Sequence, residues 1–291
     1  MPSVTTFLQH VFNGLAAGAV YALIAAGITL VYGLSRIIHF AVGELVMIGA
    51  FTSLLVGAAT GSHLLGLAAA TGALALVGLL TERGVFRFTL SEPLTGFIVS
   101  LGLILVLQGL AVELWSANPR PALPLLQGSW EVAGLYLRRQ AVLNTGLVAA
   151  VLVVCYFVLI RTTYGKSLRA IADDQGAAAL MGIPVRRVIM TTFVAASALA
   201  GIAGWIVVAN GTISPFIGAN YLLRGFAVAL IGGLGNIPGA VAAGLGLGVA
   251  ESLAAGYVDP GWTDAYVFGA VILVLLWRPT GLGRGSEGAH L

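Results

Sequence analysis

The longest polar interruption in this chain runs from Arg161 to Arg187 and reads RTTYGKSLRAIADDQGAAALMGIPVRR. It holds five of the fourteen Lys and Arg residues and two of the eleven Asp and Glu residues. Apolar residues within 167–181 recur mostly three and four positions apart, which predicts an amphipathic helix. Gly182 can end that helix, and Pro184 prevents its continuation. We call Arg161–Arg187 the loop segment.

The predicted helix has a polar side and a side of small apolar residues, a shape suited to docking onto another protein. The alternative is a solvated loop that its charges keep on one side of a membrane. The apolar side is formed by Leu168, Ile171, Ala172, Ala178, Ala179 and Met181. If this side docks, Ala178→Arg should abolish function and leave the protein inserted.

The composition is that of a polytopic membrane protein. Hydrophobic residues make up 59% of the chain and charged residues 9%, whereas a soluble domain carries roughly 25% charge. The 291 residues leave room for about eight to ten spans and little else. We therefore expect one all-α transmembrane domain over residues 1–291 and no soluble catalytic module. The single cysteine, Cys155, excludes a disulfide or a cysteine-based metal site within one chain.

Apolar runs predict about nine transmembrane helices, with a short turn at 33–40 and a long loop at 116–140. The predicted spans are 11–32, 41–59, 63–80, 94–115, 141–160, 188–210, 222–234, 240–257 and 265–277. The seventh run has only thirteen residues, so it could be a re-entrant segment, and the total would then be eight. The sequence contains no repeat of fixed period, although inverted structural repeats need not leave one.

The basic residues predict the orientation, because Lys and Arg are enriched in cytoplasmic loops. With the loop segment inside, nine crossings place ten basic residues in the cytoplasm and four outside. The ten are Arg36, Arg83, Arg87, Arg161, Lys166, Arg169, Arg186, Arg187, Arg278 and Arg284; the four are Arg120, Arg138, Arg139 and Arg224. This distribution predicts an external N-terminus and a cytoplasmic C-terminus.

The triplet Gly165-Lys166-Ser167 resembles the end of a phosphate-binding loop. Such a loop needs another glycine five positions before Gly165, so that backbone amides can surround the phosphates. That position is Ile160, inside a predicted span. We therefore expect that the chain does not hydrolyse ATP and that a partner must do so.

Two acids, Glu44 and Glu251, lie within predicted spans, where a carboxylate costs about 2.5–3.5 kcal/mol on insertion scales. Glu44 is near a helix end, so it could line a substrate path or be an interfacial or capping acid near Arg36 and His39. Glu251 is deeper, and it could face a translocation path or form a helix–helix hydrogen bond. His39 has no second histidine at metal-ligand spacing, so we expect no metal site.

The run GGLGNIPGA, Gly232–Ala240, cannot be a regular helix throughout because it contains four glycines and a proline. We call it the glycine turn. It is either a tight turn between helices or a broken helix that acts in gating or coupling on the cytoplasmic side. Its candidate gating residues are Gly232, Gly233, Gly235, Asn236 and Pro238. Two later glycines, Gly244 and Gly248, predict a small-residue face for packing against a partner subunit.

Four ordered stretches resemble the branched-chain amino acid permease family of ABC importers (LivH-type). They are NGLAAGAVYALIAAGITLVYGLSRIIHFAVGELVMIGAF, GKSLRAIADDQGAAALMGIPVRRV, LIGGLGNIPGAVAAGLGLGVAES and RPTGLGRG. The resemblance implies the ABC-importer permease architecture, and it matches both buried acids to glutamates in recurring motifs. It also implies that the loop segment contacts an ATPase subunit. The implied contact residues are Arg169, Ala170, Asp173, Asp174, Ala177, Ala178, Leu180, Met181, Gly182 and Ile183.

The same resemblance implies the partners. They are a second permease (LivM-type) or a second copy of this chain, two cytoplasmic ATPases that hold ATP and Mg²⁺, and an extracytoplasmic substrate-binding protein. The chain itself would be a multi-pass protein of the cell inner (cytoplasmic) membrane. This chain itself would bind no cofactor and no nucleic acid. The solute would be a branched-chain or other hydrophobic amino acid.

The sequence leaves one alternative function open and argues against three others. Urea and short-amide permeases of the same fold share these motifs and stay open. A passive channel has no need of an amphipathic docking helix, and an ion-coupled carrier would be expected to show more buried acids. An intramembrane enzyme would need catalytic residues that we cannot identify, since the serines in the spans have no evident base.

Overall fold

The computed structural model describes residues 4–90, 92–122, 126–132, 134–209, 211–279 and 281–282. In these residues the chain is a bundle of helices with two small antiparallel strand pairs. The helices are α1 Val4–Ser35, α2 Val42–Thr60, α3 His63–Gly84, α4 Pro93–Trp115, α5 Arg139–Arg161, α6 Thr163–Asp173, α7 Gln175–Leu180, α8 Val185–Val208, α9 Ile217–Gly232, α10 Ile237–Tyr257 and α11 Thr263–Trp277. The strands are β1 Arg120–Pro121, β2 Ser129–Val132, β3 Leu135–Arg138 and β4 Thr212–Ile213.

Eight of the helices in the described part of the chain are long and apolar enough to cross a membrane. The chain is thus a multi-pass membrane protein, and the predicted all-α class is confirmed. The helix in the predicted seventh span, α9, begins at Ile217 and not at 222. Its sixteen residues extend about 24 Å, less than the roughly 30 Å of a hydrocarbon core.

The helix ends lie at two opposite faces. At one face, which we call the hairpin face, Gln9 at the start of α1 exchanges two hydrogen bonds of 2.9 Å with the backbone of Tyr136 in β3. At the other, the loop face, the Gln175 side chain of the loop segment donates to the carbonyl of Leu34 near the end of α1, at 2.7 Å. The strand pair β1–β4 joins the ends of α4 and α8 at the hairpin face.

The first four and last four helices follow the same plan in opposite directions. In each set a long helix, α1 or α8, leads into an irregular segment, then α2 or α9, then α3 or α10, a single 3₁₀ turn and α4 or α11. The most extensive contacts are equivalent too, because α1 packs along α10 and α8 packs along α3. This is the arrangement of an inverted repeat. Helices α5, α6 and α7 connect the two units.

The glycines in α1 and α10 allow the backbones of these two helices to pack in close contact. A methyl group added at Gly14 would lie 2.6 Å from the carbonyl oxygen of Gly248, and one added at Gly18 would lie 2.5 Å from that of Gly244. The prediction that Gly244 and Gly248 pack against a partner subunit is therefore wrong. Small residues let membrane helices approach closely, and here the approach is within one chain.

The segment predicted as a short turn, 33–40, is also different in the structure. Helix α1 continues through Ser35, and residues 36–41 then pass back into the protein interior, where Ile37 and Ala41 are fully buried. The backbone N–H of Phe40 donates to the hydroxyl of Ser100 at 3.3 Å. Because Ser100 is seven residues into α4, helix α2 begins about 10 Å from the loop-face end of α4.

We expect Gly248→Ala to destabilise the protein by roughly 1–3 kcal/mol, because the added methyl group would meet the backbone of α1. The measurement is the thermal unfolding midpoint in detergent. Gly246→Ala is the matched control on the same helix, since nothing lies within 4 Å of a methyl group there. Equal midpoints for the two variants would contradict the packing described here.

Candidate functional site

The loop segment forms two helices and not one. The single helix predicted over 167–181 is interrupted at Asp174, whose backbone is extended. The Oδ1 atom of Asp174 accepts hydrogen bonds from the N–H groups of Gly176 (2.7 Å) and Ala177 (2.9 Å). An aspartate at this position is a strong helix N-cap, so it ends α6 and begins α7. Asp174 thus has a local structural role.

Part of the apolar side of the loop segment is covered by the chain itself. Leu168, Ile171 and Ala178 belong to a buried cluster with Leu34 and Phe86. Ala178 is only 3% exposed, so the prediction that this residue lies on a docking surface is wrong. Ala179 and Met181 of the same side are exposed, and docking through them stays a prediction. The periodicity of the apolar residues correctly predicted an amphipathic helix. It could not show whether the apolar side packs against this chain or against a partner.

The free surface of the loop segment is its tip. Leu180 is 91% exposed and Met181 is 84% exposed, although both are large apolar residues. Of the other residues expected to contact an ATPase, Arg169, Asp173, Asp174, Ala177 and Gly182 are exposed, while Ala170 and Ile183 are half-buried. The loop segment thus exposes two apolar side chains at its tip and two acids, Asp173 and Asp174, where its two helices meet.

A cavity of about 390 Å³ lies between the loop segment and the glycine turn. Its walls come from α1, α5, α6 and the start of α10, and include Thr29, Arg169 and Asn236. The hydroxyl of Thr29 is buried and has no partner among the described residues. The loop segment and the glycine turn therefore face each other across one cavity at the loop face.

The glycine turn connects α9 to α10 and contains a helix cap. Gly233 and Gly235 have positive φ angles of 92° and 89°, which favour glycine. The side chain of Asn236 accepts the N–H of Gly239 at 3.0 Å and caps α10, with Pro238 in the first turn of that helix. Gly232 is the last residue of α9. The candidate gating residues thus form a tight interhelical turn.

Glu44 does not reach an interface. It lies in the first turn of α2 and is 2% exposed, and its Oε2 atom has no hydrogen-bond partner in the described residues. Its carboxyl group contacts Gly218 near the start of α9. The interpretation of Glu44 as an interfacial acid is therefore wrong, and a buried carboxyl group remains to be explained.

His39 is buried too, between the rings of Phe86 and Phe193. Neither of its ring nitrogens has a partner in the parts of the chain that the structure describes. The same residues contain no group of three or more His, Cys, Asp or Glu side chains that could hold a metal ion.

Glu251 forms an ion pair between helices. Its Oε1 atom accepts hydrogen bonds from Arg224 of α9 at 3.1 Å and from the hydroxyl of Tyr21 of α1 at 3.4 Å. Arg224 also donates to Asp264 of α11 at 3.0 Å. Of the two roles predicted for Glu251, the structure shows the helix–helix hydrogen bond. The partner was missed because Arg224 was assigned to the outside, although an arginine within an apolar run is itself a sign of pairing.

We expect Arg224→Met to lower the free energy of unfolding by roughly 3–5 kcal/mol, because Glu251 would stay buried without a counter-charge. The double variant Arg224→Met, Glu251→Leu should regain most of the free energy of unfolding lost in Arg224→Met. Thermal unfolding in detergent measures both, with Asp264→Ala as a milder control because Asp264 is 73% exposed. A double variant no more stable than Arg224→Met would contradict the pairing.

Comparison with known proteins covers almost the whole chain. The model of the family described as "Branched-chain amino acid transport system / permease component" matches residues 10–276. The branched-chain amino acid transport permease LivH of Salmonella typhimurium is 38% identical over 96% of both chains. BraD of Pseudomonas aeruginosa is 36% identical over 98% of both chains.

A second type of permease is also similar. LivM of Escherichia coli is 28% identical over 90% of this chain and 67% of its own length. No solved structure matches the chain at a significant level. The family model and the relatives together span all the membrane helices described above. The chain therefore belongs to the permease-component family of branched-chain amino acid transport systems.

Proposed function

We propose that this chain is the transmembrane permease subunit of an ATP-driven ABC importer for branched-chain and other hydrophobic amino acids. The observation that carries the proposal is similarity to LivH over 96% of both chains, which includes the loop segment and the glycine turn. Sparse charge within the helices supports an apolar-walled path whose energy is supplied from outside the membrane.

The proposed energy source is a pair of ATPase subunits that bind ATP and Mg²⁺ in the cytoplasm. Ile160 lies in α5, which fits the absence of a phosphate-binding loop at the Gly165-Lys166-Ser167 triplet. A methyl group added at Gly165 would collide with the carbonyl of Leu159, so this glycine serves a close turn between α5 and α6. This chain binds no cofactor in the proposed mechanism.

The proposed ATPase contact is the tip of the loop segment, on Leu180 and Met181 with the acids Asp173 and Asp174. Exposed apolar side chains on a solvated loop favour a protein partner. Motion of the loop segment would reach the glycine turn across their shared cavity, and the turn would serve as the hinge between α9 and α10.

The proposed assembly pairs this chain with a second permease, either a LivM-type chain or a second copy. The similarity to LivM supports a related partner. In this assembly the loop face is cytoplasmic, because it carries most of the basic residues. The N-terminus is then external, the C-terminus is cytoplasmic, and a substrate-binding protein delivers solute to the hairpin face.

We expect Leu180→Asp to abolish co-purification of the ATPase subunits and to reduce leucine uptake at least tenfold. The thermal midpoint should not change, because the Leu180 side chain is 91% exposed and contributes little packing. Val258→Asp is the control for the ATPase contact, since Val258 is exposed near the opposite, hairpin face and the change should leave co-purification of the ATPase subunits intact.

Ala178→Arg should behave differently from Leu180→Asp. The buried Ala178 site has no room for arginine, so this variant should lose thermal stability together with uptake. An ATPase that still co-purifies with the Leu180→Asp variant at the wild-type level would contradict the proposed contact.

A further inference from the structure

Two helix N-termini meet inside the protein. Helices α2 and α9 occupy equivalent places in the inverted repeat, and each begins after a segment that interrupts the preceding span. Their first turns touch: a methyl group added at Gly218 would lie 2.8 Å from the carbonyl oxygen of Gly43. Both glycines are buried. We call this contact the junction.

The junction concentrates hydrogen-bond donors. The first N–H groups of any helix have no partner within the helix, and they form the positive end of its dipole. Neither α2, which begins after Ala41, nor α9, which begins after Phe216, has a side-chain cap in the described residues. The first N–H of each helix is used, because Val42 donates to His39 and Ile217 donates to Ser214. The N–H groups of the next residues, Gly43 and Gly218, lie where the two helix ends face each other, a region that suits a negatively charged group.

Glu44 places a carboxyl group, a hydrogen-bond acceptor, at the same junction. Its carboxyl group contacts the first turn of α9, with Oε1 located 2.9 Å from a methyl group added at Gly218. It does not act as a cap, because neither α2 nor α9 has a side-chain cap hydrogen bond. Its Oε2 atom is buried and has no partner among the described residues, and a buried carboxyl oxygen without a partner is costly. A structural role would normally provide that partner.

The inverted repeat shows that the fold does not need this acid. Gly43 and Gly218 occupy equivalent positions, because each is the second residue of its helix, and they contact each other across the junction. The residue after Gly43 is Glu44, whereas the residue after Gly218 is Ala219. Helix α9 thus forms its first turn with alanine at this position. Only the first unit of the inverted repeat, which contains α2, has a carboxyl group at this position.

Aromatic side chains lie next to the junction. Phe40, four residues before Glu44, contacts the ring of Phe97 in α4 with ring centroids 5.3 Å apart. It also contacts Phe226 in α9 at 5.0 Å. Since Phe40 is three residues before Gly43, the three rings form an apolar cluster on the segment that leads into α2.

We propose that the junction is the recognition site for the α-amino acid zwitterion during translocation, an inference that rests on the proposed function. The ammonium group of the substrate pairs with the Glu44 carboxylate. The substrate carboxylate takes hydrogen bonds from the N–H groups at the starts of α2 and α9, and the aliphatic side chain lies on the Phe40, Phe97 and Phe226 rings. The two helix ends touch in this structure, so they separate when substrate passes.

The test uses the complete transporter, purified with its partners and reconstituted in proteoliposomes, with labelled leucine as the probe. Glu44→Gln keeps the shape of the side chain and removes its charge. We expect leucine uptake at saturating binding protein to fall at least tenfold. ATPase activity should stay within about twofold of the wild type, and the thermal midpoint should not fall, because no partner is lost. Glu113→Gln, an exposed acid in α4, is the control and should transport normally.

The outcomes separate this inference from the proposed function. A wild-type transporter that imports leucine and a Glu44→Gln variant that imports it equally well would overturn the inference and leave the function intact. A variant that loses thermal stability in parallel with uptake would also overturn it, because Glu44 would then be structural. A wild-type transporter that moves no leucine would overturn the proposed function itself.

Discussion

The close backbone contact between Gly43 and Gly218 is the constraint on which the rest of this structure depends. Two helices can begin inside the membrane only where protein surrounds their free N–H groups. The long helices supply that enclosure, since α1 packs along α10 and α8 packs along α3. Glycine is needed at the contact because any side chain would hold the two helix ends apart. The inverted repeat thus places two interrupted helices at the centre of the molecule.

The loop segment acts on this centre only through intermediates. Its apolar side is fixed to the end of α1 and to α8 by the buried cluster around Leu168, Ile171 and Ala178, and its tip is free. In the proposed mechanism a push on Leu180 and Met181 therefore moves α6 and α7 as one body with the end of α1. The glycine turn lies across the cavity at the loop face and connects α9 to α10.

Much of the fold could be predicted from sequence because apolar runs and basic loops are local signals. The membrane class, the amphipathic loop segment and the turn at GGLGNIPGA were found in this way. The inverted repeat could not be predicted in this way. It is visible in the order of the helices and in the packing of α1 on α10 and of α8 on α3, which are contacts between residues far apart in the sequence. The same limit explains the errors at Ala178 and Gly248 and the missed ion pair between Arg224 and Glu251. A sequence shows that one side of a helix is buried, but the partner, whether α1, α8 or another subunit, depends on the tertiary fold.

The decisive experiment is uptake of radiolabelled leucine and urea, measured in parallel in cells with the complete neighbouring transporter set. Leucine uptake should disappear when this chain is deleted and return when it is restored. Urea uptake alone would retain the permease architecture and contradict the assigned substrate. Solute leak through this chain in the absence of any ATPase would contradict the account of an ATP-driven importer.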